Sequence, residues 1–246
     1  MTSRLVFSIF ALVIVSAGSM SFTSRAALGI VLKSCEVTYR ISGGAFPCLK
    51  IVEAEAPLAS YAVLREPAAS ERTIFTPLSS LSGIEDPRLL DPASPNYFEM
   101  AWRERSLAVP ATEDKWNDTA LAINAAIFRT QDHFHIHIGC VKPRVRRALA
   151  TSSMSLLQFQ QMKMRLEGQL YFARFVEGDD LAKVNPVQLV AREVPNAAAN
   201  MKGVTIGVTG GQREDGVKGF YVLANVMTSL PRRPASAEGL LDPKCN

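Results

Sequence analysis

All three histidines of this chain fall inside five residues, in the run His133-Phe-His-Ile-His-Ile-Gly-Cys140. Neutral imidazole is a nucleophile and a metal ligand, and the protonated ring is a strong hydrogen-bond donor. An ordinary pKa near ~6.5 keeps both forms within reach. A row of imidazoles can therefore divide attack and charge stabilisation between its members, as displacement at phosphorus requires. The interleaved Phe134, Ile136 and Ile138 are apolar and strand-forming. Period-two alternation predicts a half-buried β-strand with His133, His135 and His137 on one face. Neighbours on that face are about 6.6–6.8 Å apart along the strand, and the outer pair about twice that.

A metal site is the competing chemistry, because His-x-His offers two nitrogen ligands and a distant carboxylate a third, with a position left for water. The chain has no fourth histidine, no Cys-x-x-Cys and no His-Glu-x-x-His, and the outer histidines are too widely spaced for one ion. A solvated strand face without function would leave the purity of the row to accident.

Residues 133–139 resemble the His-φ-His-φ-His-φ-φ signature (φ apolar) of the histidine-triad nucleotide hydrolases and transferases, with Gly139 as the departure. The surrounding text resembles the bacterial CDP-diacylglycerol pyrophosphatases. It comprises Leu90-Asp-Pro-Ala-Ser-Pro-Asn-Tyr-Phe-Glu-Met-Ala-Trp102, Ala122-Ile-Asn124 and Arg129-Thr-Gln-Asp-His-Phe-His-Ile-His-Ile-Gly-Cys-Val-Lys-Pro143. Looser matches are Ser60-Tyr-Ala-Val-Leu64, Arg192-Glu-Val-Pro195 and Ala235-Ser-Ala-Glu238.

The resemblance implies an α+β fold, a histidine-triad-like antiparallel sheet with packed helices. It implies hydrolysis of CDP-diacylglycerol to CMP and phosphatidate through a nucleotidyl-histidine. His135 is then the nucleophile, with His137 and His133 in support, and Asn124, Arg129, Thr130, Gln131 and Lys142 are candidates for substrate contact. No metal and no cofactor is needed in this scheme. The alternatives are a histidine-triad hydrolase of another nucleotide, and a tethered metal- or anion-binding module without catalysis. A liponucleotide substrate makes a membrane lipid surface the expected partner, and the oligomeric state is left open.

A helix is expected near 26–38, with strands near 50–54, 60–65 and 71–76 and a turn at Pro77. Arg65-Glu-Pro67 reads as hairpin punctuation. Asn96 or Ser94 caps a helix running from Tyr97 to Arg105, and Thr119–Asn124 forms a strand before the triad strand. Leu149–Leu166 reads as helix, and strands follow at 169–175, 185–190, 204–208 and 219–224, the last two joined by a Gly-rich hairpin connection. Gly219-Phe-Tyr-Val-Leu223 echoes Ser60-Tyr-Ala-Val-Leu64, so the second, strand-rich lobe is a candidate degenerate repeat. The expected organisation is an anchor or signal segment at 1–25, a histidine-triad-like catalytic half at 26–148 and a C-terminal α/β lobe at 149–246.

With 48% hydrophobic and 20% charged residues, the chain can bury ample core. The net charge of +4 is too small for a nucleic-acid footprint, and no nucleic-acid module is present. The dense basic run Lys142, Arg144, Arg146, Arg147 suits a phosphate or headgroup better, or is a solubilising loop. Residues 5–24 are free of charge and follow Arg4, an export segment that is either cleaved or retained as an anchor. Retention with an inside amino terminus places a single-pass protein in a bacterial inner membrane with its body in the periplasm. The even count of four cysteines fits that oxidising compartment. Cys35 and Cys48 bracket a Gly-rich turn and are expected to pair. Cys140 and Cys245 are candidates for a second bridge, although spacing does not choose among the three connectivities.

Overall fold

The computed structural model of the chain describes residues 25–66, 69–108, 116–152, 156–227 and 236–245. Its strands are β1 Lys50–Val52, β2 Tyr61–Glu66, β3 Ala69–Pro77, β4 Thr119–Ile123, β5 Ile136–Val141, β6 Gln160–Gln161, β7 Phe172–Glu177, β8 Val204–Gln212, β9 Lys218–Val226 and β10 Leu241–Asp242. The helices are α1 Ala27–Ser42, α2 Tyr97–Arg103, α3 Pro143–Ala150 and α4 Pro186–Glu193. All the strands join one antiparallel sheet in the order β1-β2-β3-β5-β4-β8-β9-β7-β6, and β10 pairs with the far end of β5. The fold is thus α+β, as expected, and the strands beyond residue 149 extend the same sheet through β4 and β8.

Alternation along the strands sorts the core into two layers. One face carries Val63, Phe75, Leu121, Ile136, Ile138, Val208 and Val222 against α2 and α4, forming the larger apolar cluster. The other face carries two smaller clusters. At one end α1 packs Leu28, Leu32 and Cys35 on Ala62, Leu64 and Ile74. At the other, α3 and the chain around Leu240 cover Ala120, Ala122, Tyr221 and Leu223. The histidine-bearing part of β5 lies between them, since Ile74 is in register with His137 and so is Ala122.

Local chemistry explains where the elements start and stop. Asn96 caps α2 by accepting from the Glu99 N–H, and its amide also donates to the Leu181 and Val184 carbonyls, tying α2 to the approach to α4. The strand expected at 185–190 is instead α4. Asn185 accepts from the Val187 N–H and Pro186 occupies the first turn, so a cap and a preset φ override the β-branched residues that suggested a strand. The helix expected at 149–166 is also corrected: α3 starts at Pro143 and stops at Ala150, where the Thr151 and Ser152 hydroxyls bond back to the Arg147 and Ala148 carbonyls. Cys35–Cys48 and Cys140–Cys245 are both disulfides. Gly219–Leu223 and Ser60–Leu64, the echo noted in the sequence, fall on β9 and β2, which have different neighbours in the sheet.

The single-pass inner-membrane assignment is corrected. Among the described residues no helix is long and apolar enough to cross a membrane. The helix that follows the apolar segment, α1, has only 16 residues and spends one face on the sheet while presenting Lys33 and Arg40 to solvent. The segment 5–24 itself lies outside the described residues.

Candidate active site

Alternation places the histidines as far as the strand reaches. Phe134, Ile136 and Ile138 are fully buried in the large cluster and turn His135 and His137 to the opposite face. His137 lies within β5, whereas His133 and His135 belong to the extended lead-in before it. That lead-in is pinned by the Thr76 hydroxyl donating to the Phe134 carbonyl and by the Phe134 N–H donating to the Leu81 carbonyl. The His135 and His137 rings stand edge to face with centroids 5.0 Å apart. His133 is set apart, its Nε2–H donating to the Pro77 carbonyl at 2.9 Å.

The hydrogen bonds assign the protons. His135 Nδ1 lies 2.6 Å from the His133 carbonyl oxygen, which can only accept, so Nδ1 carries the hydrogen and Nε2 the lone pair. Burial, reinforced by the adjacent His137 charge, pushes the His135 pKa down to about 4. The ring is therefore neutral and nucleophilic at Nε2 across the physiological range.

His137 is the opposite case. Its Nδ1 lies 3.3 Å from Glu66 Oε2 and its Nε2 3.1 Å from Glu238 Oε1. Burial opposes the imidazolium, but the two carboxylates outweigh it and hold the His137 pKa at about 9. Burial likewise opposes the Glu238 carboxylate, yet His137 and then Arg72 hold it down at about 2. Arg72 closes the cluster, 3.0 Å from Glu66 and 3.6 Å from Glu238. Two cations thus face two anions in a largely buried space, the arrangement that offsets the cost of taking charge out of water.

Glu238 comes to this cluster on the C-terminal strap. Asn124, at the end of β4, donates to the Glu238 carboxylate and accepts from the Ala237 N–H and the Ser236 hydroxyl. Beyond Glu238, β10 pairs with β5 and Cys245 is bonded to Cys140. Gly139, the departure from the signature, has a steric reason: a Cβ there would sit 3.3 Å from the Arg72 side chain, so glycine leaves room for its stem.

The expected site residues separate. Asn124, His135 and His137 come together around Glu238, while the His133 ring turns to Pro77. Arg129 borders a shallow recess with Gly83, His133 and His135, but its guanidinium is engaged by Glu85 at 2.6 Å and Asp132 at 3.1 Å. Gln131 accepts from the Leu28 N–H at the start of α1, and Thr130 is exposed on the same loop. Lys142 lies at the far end of β5, paired with Glu167 at 2.9 Å. Glu66, Arg72 and Glu238 were missed as site residues. Glu66 reads locally as hairpin punctuation, and Glu238 stands in a segment whose only signal was family resemblance.

Glu66, His137 and Glu238 also offer ligand atoms within 4.8 Å of one another, a spacing open to a divalent cation. Arg72 lies within ion-pair distance of both carboxylates of this set.

A buried neutral histidine thus lies beside an imidazolium on one face of an antiparallel sheet. The family model of the CDP-diacylglycerol pyrophosphatases matches residues 24–246, and a CDP-diacylglycerol pyrophosphatase of Yersinia pestis is 33% identical over 249 residues, covering 98% of this chain and 93% of the relative. The chain belongs to the CDP-diacylglycerol pyrophosphatase family, whose activity is hydrolysis of a pyrophosphate bond.

The two pKa values bracket a pH plateau. kcat/KM should fall below about 4, where His135 Nε2 takes up a proton, and above about 9, where His137 loses one. Glu238→Gln removes one supporting charge, so the alkaline limb should move to lower pH while the acid limb does not move up. An unmoved alkaline limb in that variant would remove His137 from the account.

Proposed function

We propose that the chain hydrolyses CDP-diacylglycerol by a histidine-triad mechanism in which His135 forms a nucleotidyl intermediate. The observation that carries the reading is the hydrogen bond from His135 Nδ1 to the His133 carbonyl, which leaves Nε2 unprotonated beside the charged His137. In the first step Nε2 attacks the cytidine-side phosphorus. A nitrogen–phosphorus bond forms, the bridging phosphorus–oxygen bond breaks, and its electron pair leaves on phosphatidate. Because Nδ1 keeps its hydrogen, the modified ring is cationic, and the His133 carbonyl stabilises that charge. Water then attacks the same phosphorus, releasing CMP and a proton and restoring neutral His135.

His137 supplies fixed positive charge to the phosphate oxygens as negative charge builds on them. Its Nε2 lies 3.1 Å from Glu238 without a well-aligned acceptor, and it is the donor that meets a phosphate oxygen in this scheme. The phosphate monoester leaving group is an acceptable anion and needs little general-acid help. His133 contributes through its backbone carbonyl, while its ring holds the lead-in to Pro77.

A lipid substrate calls for a working position at a bilayer surface, and α1 presents a surface of the right kind. Ile30, Val37 and Ile41 are exposed at helical spacing on α1 and Phe46 is exposed on the loop tied back by Cys35–Cys48, with Lys33 and Arg40 exposed on the same helix. The start of α1 is joined to the loop before the histidines through Arg25–Asp132 and Gln131.

Two tests follow. His135→Ala should abolish turnover, and rapid acid-free quenching of the wild type should trap one CMP on His135, with EDTA changing neither result; turnover in the variant sinks the nucleophile assignment. Ile41→Asp with Phe46→Asp should weaken sedimentation with anionic vesicles while hydrolysis of a short-chain, soluble analogue is retained. Equal vesicle binding by that variant would discard α1 as the lipid-facing surface.

A further inference from the structure

The succession β2-β3-α2-β4-β5 recurs along the chain as β6-β7-α4-β8-β9. The sheet order reads β2-β3-β5-β4 from one side and β6-β7-β9-β8 from the other, meeting at the β4–β8 pair. The two helices are both capped by an asparagine beside a proline, Asn96 after Pro95 and Asn185 before Pro186. An approximate twofold normal to the sheet at β4–β8 therefore exchanges the halves and keeps each face on its own side. It equates β5 with β9, not β2 with β9 as the five-residue echo suggested.

The covering elements obey the same exchange. The helix that follows β5, α3, crosses to pack on β8, and the 3₁₀ turn Ala237–Leu240 that follows β9 crosses to pack on β4. In the first half, the end of β4, the approach to β5 and the covering turn with Glu238 enclose the histidine site. The corresponding place in the second half is the end of β8, the start of β9 and the covering α3.

That place holds a cavity of about 340 Å³ whose lining includes Arg146 and Arg147 from α3, Thr209 and Gly211 from β8, Arg213 and Tyr221. A Cβ at Gly211 would come within 2.1 Å of the Tyr221 ring, so glycine lets the ring lie across β8 as the cavity floor. The chain has no histidine here, and no nucleophile matches His135. What replaces the balanced charges of the first site is guanidinium. Arg146 is paired with Asp118 and Arg213 with Asp215, whereas Arg147 has no ion pair among the described residues. Among the described residues, Glu214 is the one carboxylate in the lining.

We propose that this cavity is a second, non-catalytic site that binds a ligand carrying a phosphate monoester. Arginine forks match phosphate oxygens in two-point contact, and Arg147, without an ion pair of its own among the described residues, stands beside Arg146 and Arg213 to supply one. Orthophosphate, CMP and phosphatidate share that chemistry. The inference does not rest on the catalytic reading, because its test measures binding.

The full chain would be titrated calorimetrically with CMP, with inorganic phosphate and with dihexanoyl phosphatidate, in parallel with Arg146→Ala/Arg147→Ala and Arg147→Lys. For at least one probe the wild type should show two classes of site, one of which weakens about tenfold or more in the double alanine variant. Arg147→Lys should keep part of that binding. Hydrolysis by both variants should be unchanged, which also confirms that they fold. Which probes respond tells a nucleotide or free phosphate from a lipid headgroup. A single class of site, or two classes equal in wild type and variants, overturns the proposal.

Discussion

Four charges share the largely buried space beside His135, and they are tolerable there because they cancel. Arg72 and protonated His137 face Glu66 and Glu238, each carboxylate touching both cations. Removing any one would leave an uncompensated buried charge, a far larger penalty than losing a surface pair. The cluster has a chemical product as well: it fixes a proton on His137, whose field then helps to keep His135 neutral. Two adjacent histidines, alike in sequence, are driven to opposite protonation states by their surroundings.

Much of the architecture serves this cluster. Glu66 ends β2 and Arg72 lies on β3, so the β2–β3 pair brings one acid and one base to the edge of β5. Glu238 arrives from the carboxyl terminus, held by Asn124 before it and by β10 and the Cys140–Cys245 bridge after it. The Cys140–Cys245 disulfide thus secures the strap that carries Glu238. The α1 helix, fastened by Cys35–Cys48, closes the same face of the sheet on the other side.

The sequence made the local part of this legible. Alternation around Phe134, Ile136 and Ile138 announced which side of β5 the histidines take, and Asn96 announced its helix. The row of three nonetheless divides, because β5 begins only at Ile136 and the His133 ring turns to Pro77. The acids were not legible, since Glu66 is 71 positions from His137 and no local periodicity encodes a contact that the sheet order creates. Thr130, Gln131 and Lys142 adjoin the motif in sequence. In space Gln131 serves α1 and Lys142 serves Glu167. The misread of α4 has a similar origin, for Val187, Leu189 and Val190 suit a strand until the Asn-Pro start is weighed.

The most direct test of the central claim is a pH titration of the resting protein labelled with ¹⁵N-histidine, read by NMR for the tautomer and charge of each ring. His135 should be neutral with its hydrogen on Nδ1 down to about 4, and His137 doubly protonated up to about 9. A neutral His137 at pH 7, or His135 carrying its hydrogen on Nε2, would contradict the claim.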